Sequence, residues 1–143
     1  MVDTYYQIPL KLGEMIHQQE HEKCSLSKSV ATMLHLVLIT NLGECKFDEG
    51  FGCEIWEHDF ENIANIQLYK EKLRKSIKQT IEKYEPRLNI TRFDIQIEQI
   101  ENRVNNRRTK SRISLYVKGT LIKTNEVFTY SEQFFIGPLS YML

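Results

Sequence analysis

Three groups of side chains in this 143-residue chain have the types and spacing for chemistry. The first is Glu85-Pro86-Arg87, a carboxylate and a guanidinium on either side of a proline. Arginine's planar fork suits bidentate recognition of a carboxylate or a pair of carbonyls, and proline stiffens the turn between the two charges. On the residues alone the step reads as a helix stop with a local Glu–Arg pair. The second group is His17, His21 and Cys24, whose spacings of four and three would place them on one helix face, as a metal site requires. Cys45 and Cys53 belong to another segment and lack a CxxC pairing, so a solvated histidine pair is the better reading and no metal is assigned. The third is Glu44, Asp48, Glu49 and Glu54, which lie among aromatics in a glycine-rich stretch. Glycoside hydrolysis needs two carboxyl groups about 5 to 9.5 Å apart across a sugar cleft. Acids in a turn-rich surface loop more often face water, so no catalytic residue is assigned.

Two further stretches invite a ligand. Gly43, Gly50 and Gly52 resemble a phosphate cradle only in composition, since no Walker or dinucleotide spacing is present; they serve backbone turns. From Glu101 to Arg112 run five basic residues and one acidic one. A nucleic-acid module would interleave aromatics or carry a wider basic face, so this Arg103–Arg112 stretch reads as a solvated hairpin loop.

The elements that must position these groups follow from periodicity. From Ile66 to Lys83 the pattern is helical, with Leu73, Ile77, Ile81 and Tyr84 on one face. Proline disfavours the α conformation at Glu85, so the helix stops there. The period then changes to two: Phe93, Ile95 and Ile97 alternate with polar residues in a strand over about 90–100. A second strand, 112–123, places Ile113, Leu115, Val117, Gly119 and Leu121 on one face. A third, 126–136, does the same with Phe128, Tyr130, Phe134 and Ile136, and a tight turn at Thr124-Asn125 joins the two. Upstream, Ser25 or Ser27 caps a helix over about 28–41 that is apolar most of the way round and is therefore the core helix; Gly43 is available for its left-handed cap. Between the helices, Phe47, Phe51, Trp56 and Phe60 are expected to pin the irregular segment onto the core helix, with one short helical turn at 54–58 and capping residues at 59–62. Residues 1–10 read as an extended lead-in that docks on the body, 11–23 as a weak helix or connector, and the apolar tail 137–143 as a segment that packs or binds. The fold class is α+β: two main helices on an antiparallel sheet of at least three strands, with an N-terminal extension (1–24) ahead of a single domain (25–143).

Zero formal net charge removes any global pull toward nucleic acid or an anionic membrane. No apolar run is long enough to span a bilayer, and residues 1–6 lack a signal-peptide pattern. Three cysteines suit reduced thiols better than a disulfide framework, so the expected location is cytoplasmic.

Several of these pieces together resemble the GPW-type baseplate wedge family, which includes the sheath-proximal wedge protein of contractile phage tails and TssE of type VI secretion systems. The pieces are the helix exit Thr40-Asn41-Leu42-Gly43-Glu44, the turn Phe51-Gly52, and Tyr84-Glu85-Pro86-Arg87-Leu88 before a strand meander, in order over about residues 26 to 136. Cys45 stands where that family usually carries arginine, and Asp48-Glu49-Gly50 where it often has a proline. The resemblance implies a non-enzymatic structural subunit that links the baseplate wedge to the sheath and initiates sheath assembly. It implies wedge partners of the TssF/TssG kind, sheath partners of the TssB/TssC kind, and a partner contact at Glu85, Pro86 and Arg87. Cofactor, small-molecule substrate, nucleic acid and membrane insertion are not expected. Arg87→Ala is expected to leave the fold intact. Some family members carry a lysozyme label, so a peptidoglycan hydrolase is one alternative, and a free-standing regulatory adaptor is another.

Overall fold

The computed structural model describes residues 4–18, 20–57, 65–101 and 109–136. In chain order the elements are β1 (Tyr5–Tyr6), α1 (Leu12–Gln18), β2 (Lys23–Cys24), α2 (Leu26–Ile39), a 3-10 turn (Glu54–Glu57), α3 (Ile66–Tyr84), β3 (Leu88–Glu101), β4 (Thr109–Leu121) and β5 (Val127–Ile136). The strands β3-β4-β5 form an antiparallel sheet in that order, and β1 and β2 form a separate two-stranded ribbon. The architecture is the expected α+β arrangement, with α2 and α3 against the sheet.

Each long helix has one buried stripe. In α3 it is Leu73, Ile77 and Ile81, spaced by four; in α2 it is Leu26, Val30, Leu34, Val37 and Leu38. All of these but Val37 meet Phe93 and Ile95 of β3, Ile113, Leu115 and Val117 of β4, and Phe128 and Phe134 of β5 in one core. Burying each such side chain contributes about 1.5–3 kcal/mol. The helix starts are capped as sequence chemistry dictates: Ser25 accepts from the Lys28 amide at 3.3 Å and Asn65 from the Leu68 amide at 3.1 Å.

Several sequence expectations shift. α2 stops at Ile39, and Gly43, although its φ is +80°, lies in the following turn and is not the helix cap. Tertiary partners at the Leu38 carbonyl end the helix early. Thr40 returns both its amide (3.2 Å) and its hydroxyl (2.6 Å) to the Leu36 carbonyl, while the Trp56 indole (2.8 Å) and the Cys53 thiol (3.2 Å) take that of Leu38. Phe47, expected to pin the loop, is fully exposed, whereas Phe51 packs edge-on against Tyr84 at 5.1 Å. Phe60, the capping residues at 59–62, the basic stretch at 102–108 and the tail at 137–143 lie outside the described residues.

The sheet also departs from simple alternation. β3 begins two residues early, at Leu88, and a bulge between Ile90 and Arg92 switches its parity. Leu88 and Ile90 face inward before it, Phe93 and Ile95 after it, which strict alternation forbids. The Thr91 hydroxyl donates to the Lys118 carbonyl at 3.1 Å across the bulge. Opposite lies Gly119, where a Cβ would sit 2.3 Å from the Asn89 carbonyl oxygen. β4 starts at Thr109, so Lys110 and Arg112 belong to the strand and not to the loop. The β4–β5 connection is longer than a two-residue turn. It closes through Leu121 N–H to Glu126 O (2.9 Å) and Asn125 N–H to Leu121 O (2.8 Å), with Asn125 in the left-handed region at φ 56°.

Candidate functional site

Proline at position 86 ends α3 and opens a tight turn in which the Leu88 amide donates to the Glu85 carbonyl at 3.3 Å. The Glu85 side chain is only 1% exposed, and Arg87 satisfies it. The guanidinium Nε donates to Oε1 at 2.7 Å and Nη2 to Oε2 at 2.6 Å, a two-point fork, and the Arg87 amide adds a third bond to Oε1 at 3.2 Å. The remaining Nη1 reaches Ser29 on α2 at 3.0 Å, and the Tyr5 ring covers the guanidinium at 5.1 Å. The charge-assisted bonds to Glu85 raise the Arg87 pKa above its ordinary value, against the opposing effect of burial. The Arg87 carbonyl accepts from the Ile122 amide at 3.0 Å. One turn thus joins the end of α3, the start of β3, the exit of β4, α2 and the N-terminal ribbon.

The three expected contact residues therefore have different surroundings. Pro86 is exposed and Arg87 is 30% exposed, whereas Glu85 lies beneath them with both carboxylate oxygens engaged. Glu85 holds Arg87 in place through both carboxylate oxygens. Against the expectation that Arg87→Ala spares the fold stands the buried carboxylate that it would leave without its fork. Ser29 and Tyr5, which complete the site, carry no local sequence signal.

The other motif pieces converge on the same turn through Tyr84. Its hydroxyl donates to Asp48 Oδ2 at 2.9 Å, and its ring receives Phe51. Asp48 Oδ1 accepts from the Gly50 amide at 3.1 Å, and Glu44 accepts from the Asn41 amide at 2.9 Å. At Gly52, φ is +126° and a Cβ would lie 2.6 Å from the Thr40 carbonyl oxygen, so only glycine lets the loop return to the end of α2, where the Cys53 amide donates to that carbonyl at 3.0 Å. Two of the candidate acids, Glu44 and Asp48, are thereby committed to the loop's own hydrogen bonds.

His17, His21 and Cys24 do not share a helix face. α1 ends at Gln18; His21 Nε2 lies 2.6 Å from the Gln7 carbonyl oxygen, and Cys24 sits in β2 with its thiol 3.8 Å from the Tyr6 carbonyl oxygen. Among the described residues, no group of three or more His, Cys, Asp and Glu side chains is arranged to hold a metal ion. None of the described helices is long and apolar enough to cross a membrane.

Comparison with known proteins gives two matches. The family model described as baseplate wedge protein gp25 matches residues 24–126. A crystal structure from Geobacter sulfurreducens, described as a candidate tail lysozyme, superposes with a TM-score of 0.62 at 17% identity, over 85% of this chain and 100% of that one. That likeness is one of fold. No curated protein sequence gives a significant match.

Proposed function

The chain belongs to the baseplate wedge protein gp25 family, and from that premise we propose that it is a non-enzymatic baseplate subunit of a contractile injection machine, of the phage-tail or TssE-like type VI secretion kind, which joins wedge to sheath and starts sheath assembly. One observation carries this reading: the matched stretch, 24–126, contains all three motif pieces, and side-chain contacts fasten them into one junction.

The wedge contact is assigned to Pro86 and the outward side of Arg87. Both are held rigid by the Glu85 lock, so little freedom is lost when a partner docks. The partner class is the helical core of the other wedge proteins, TssF/TssG-like in a secretion system. Engagement of Glu44 and Asp48 within the loop supports a structural role over a hydrolytic one.

The sheath contact is assigned to the edge of β5, which is unpaired among the described residues. Of the two edge strands, β3 carries alternating charges on its outer face and its Phe93 carbonyl is already taken by Arg74 Nε of α3 at 3.0 Å. β5 has ten residues with no proline, lysine or arginine, and its one acid, Glu132, turns toward α2 to meet His35 Nδ1 at 2.6 Å. Val127 and Phe135 are exposed beside that edge. An unprotected edge takes up a strand from another chain through main-chain hydrogen bonds, which suits TssB/TssC-like sheath subunits.

The test is a pull-down of the tagged full chain from its native cells, with bound proteins identified by mass spectrometry. Pro86→Glu is expected to lose the wedge proteins while keeping the circular dichroism of the wild type. Val127→Lys/Phe135→Lys is expected to keep them and lose the sheath. Recovery of wedge proteins by Pro86→Glu at the wild-type level would sink the assignment of the turn; a folded wild type that recovers neither class would sink the whole reading.

A further inference from the structure

Charge in this chain is balanced overall but segregated locally. α3 holds Lys70, Lys72, Arg74, Lys75, Lys78 and Lys83 against only Glu71 and Glu82. Four of these cations have local work. Arg74 bonds the Phe93 carbonyl, Lys70 reaches Gln96 at 3.3 Å, Lys78 pairs with Glu82 at 3.8 Å, and Lys83 lies 4.8 Å from the Tyr84 ring centroid. Lys72 and Lys75 are exposed and make no ion pair among the described residues. They stand one turn apart on the face opposite Leu73, Ile77 and Ile81, in line with Leu68, which is 70% exposed. A shallow trough of about 550 Å³ runs along this face, past Leu68, Lys72, Lys75 and Lys78. The inner stripe anchors α3 in the core, so the outer stripe is presented on a rigid rod about 28 Å long.

We propose that this face of α3 is a docking surface for an acidic amphipathic helix of a neighbouring protein. Carboxylates at helical spacing on that helix would meet Lys72 and Lys75, and one apolar side chain would cover Leu68. Charge complementarity selects an acidic occupant, and the placement of the two acids selects a protein. Glu71 and Glu82 sit along the same trough, where they would repel a nucleic-acid backbone carrying a phosphate charge about every 1.7 Å along the duplex. A helix can place its own cations or neutral residues opposite them. That the neighbour is another baseplate subunit rests on the function proposed above; the charge chemistry does not.

The experiment uses the purified full chain and three fluorescent probes: a helical peptide with glutamates at i, i+3 and i+7 and a terminal leucine, the same peptide with lysines for glutamates, and duplex DNA. The acidic peptide is expected to bind, weakening with salt. Lys72→Glu/Lys75→Glu should reduce that binding by about tenfold, the sum of several small surface pairs lost and reversed. The same variant should gain affinity for the lysine peptide, an outcome that a misfolded protein would not give. Leu68→Ser should weaken the acidic peptide and leave the salt dependence unchanged. DNA binding as tight as that of the acidic peptide would replace the protein partner with a nucleic acid, and absence of acidic-peptide binding, or no effect of the double reversal, would overturn the proposal. Because the assay needs no native partner, its failure leaves the pull-down result standing, and the reverse also holds.

Discussion

Glu85 and Arg87 were visible in the sequence as a pair two residues apart, but their energetic weight was not. An exposed pair of this kind contributes little; here the carboxylate is withdrawn from water and compensated by the arginine fork and a backbone amide, and the guanidinium is itself held by a hydroxyl 58 residues from Arg87. Removing the guanidinium is therefore expected to cost about 3 kcal/mol, because the charge left behind is buried and under-bonded. Arg87→Ala should show this as a lowered urea midpoint with an unchanged slope. Arg87→Lys should fall close to it, since one ammonium cannot span both carboxylate oxygens and Ser29. A wild-type midpoint for Arg87→Ala would mean that the lock holds a surface feature and not the fold. What hid this from the sequence was distance: Ser29 and Tyr5 enter from other elements, and neither residue type announces an arginine partner.

At the scale of elements, the inward sets Phe93/Ile95 and Ile113/Leu115/Val117 followed from period two, as did the α3 stripe from spacing by four. Leu88 and Ile90 did not, because a single inserted residue reverses the parity of β3 and a bulge leaves no hydrophobic signature of its own. Its trace lies on the neighbouring strand, at Gly119. Adding one methyl group there drives it into the Asn89 carbonyl, a backbone atom that cannot swing aside. Gly119→Ala is expected to destabilise by about 1–3 kcal/mol through strain at the bulge, read as a drop in the thermal midpoint. An unshifted midpoint would show that β3 and β4 separate freely at that point. The hairpin is likewise longer than the Thr124-Asn125 turn signal implies. Asn125 supplies the left-handed residue, but the loop closes around it over Ile122–Glu126 and not at two residues alone.

Across the whole molecule, the surfaces proposed for wedge and for sheath lie at opposite sides of the sheet. The turn at Pro86 adjoins the first strand of the sheet and the open edge belongs to the third, so about 10 Å of paired backbone separates them. Trp56, itself 38% exposed, touches both layers: its indole donates to the end of α2, and its ring meets Phe134 of β5 edge-on at 5.7 Å. It is the only tryptophan in the chain. The protein therefore carries an intrinsic fluorophore wired to the strand proposed to receive the sheath. Titrating in a sheath-derived strand peptide should move its emission without any label, and the Val127→Lys/Phe135→Lys variant should keep the starting spectrum while losing the response. A spectrum indifferent to saturating peptide would place strand capture elsewhere than β5.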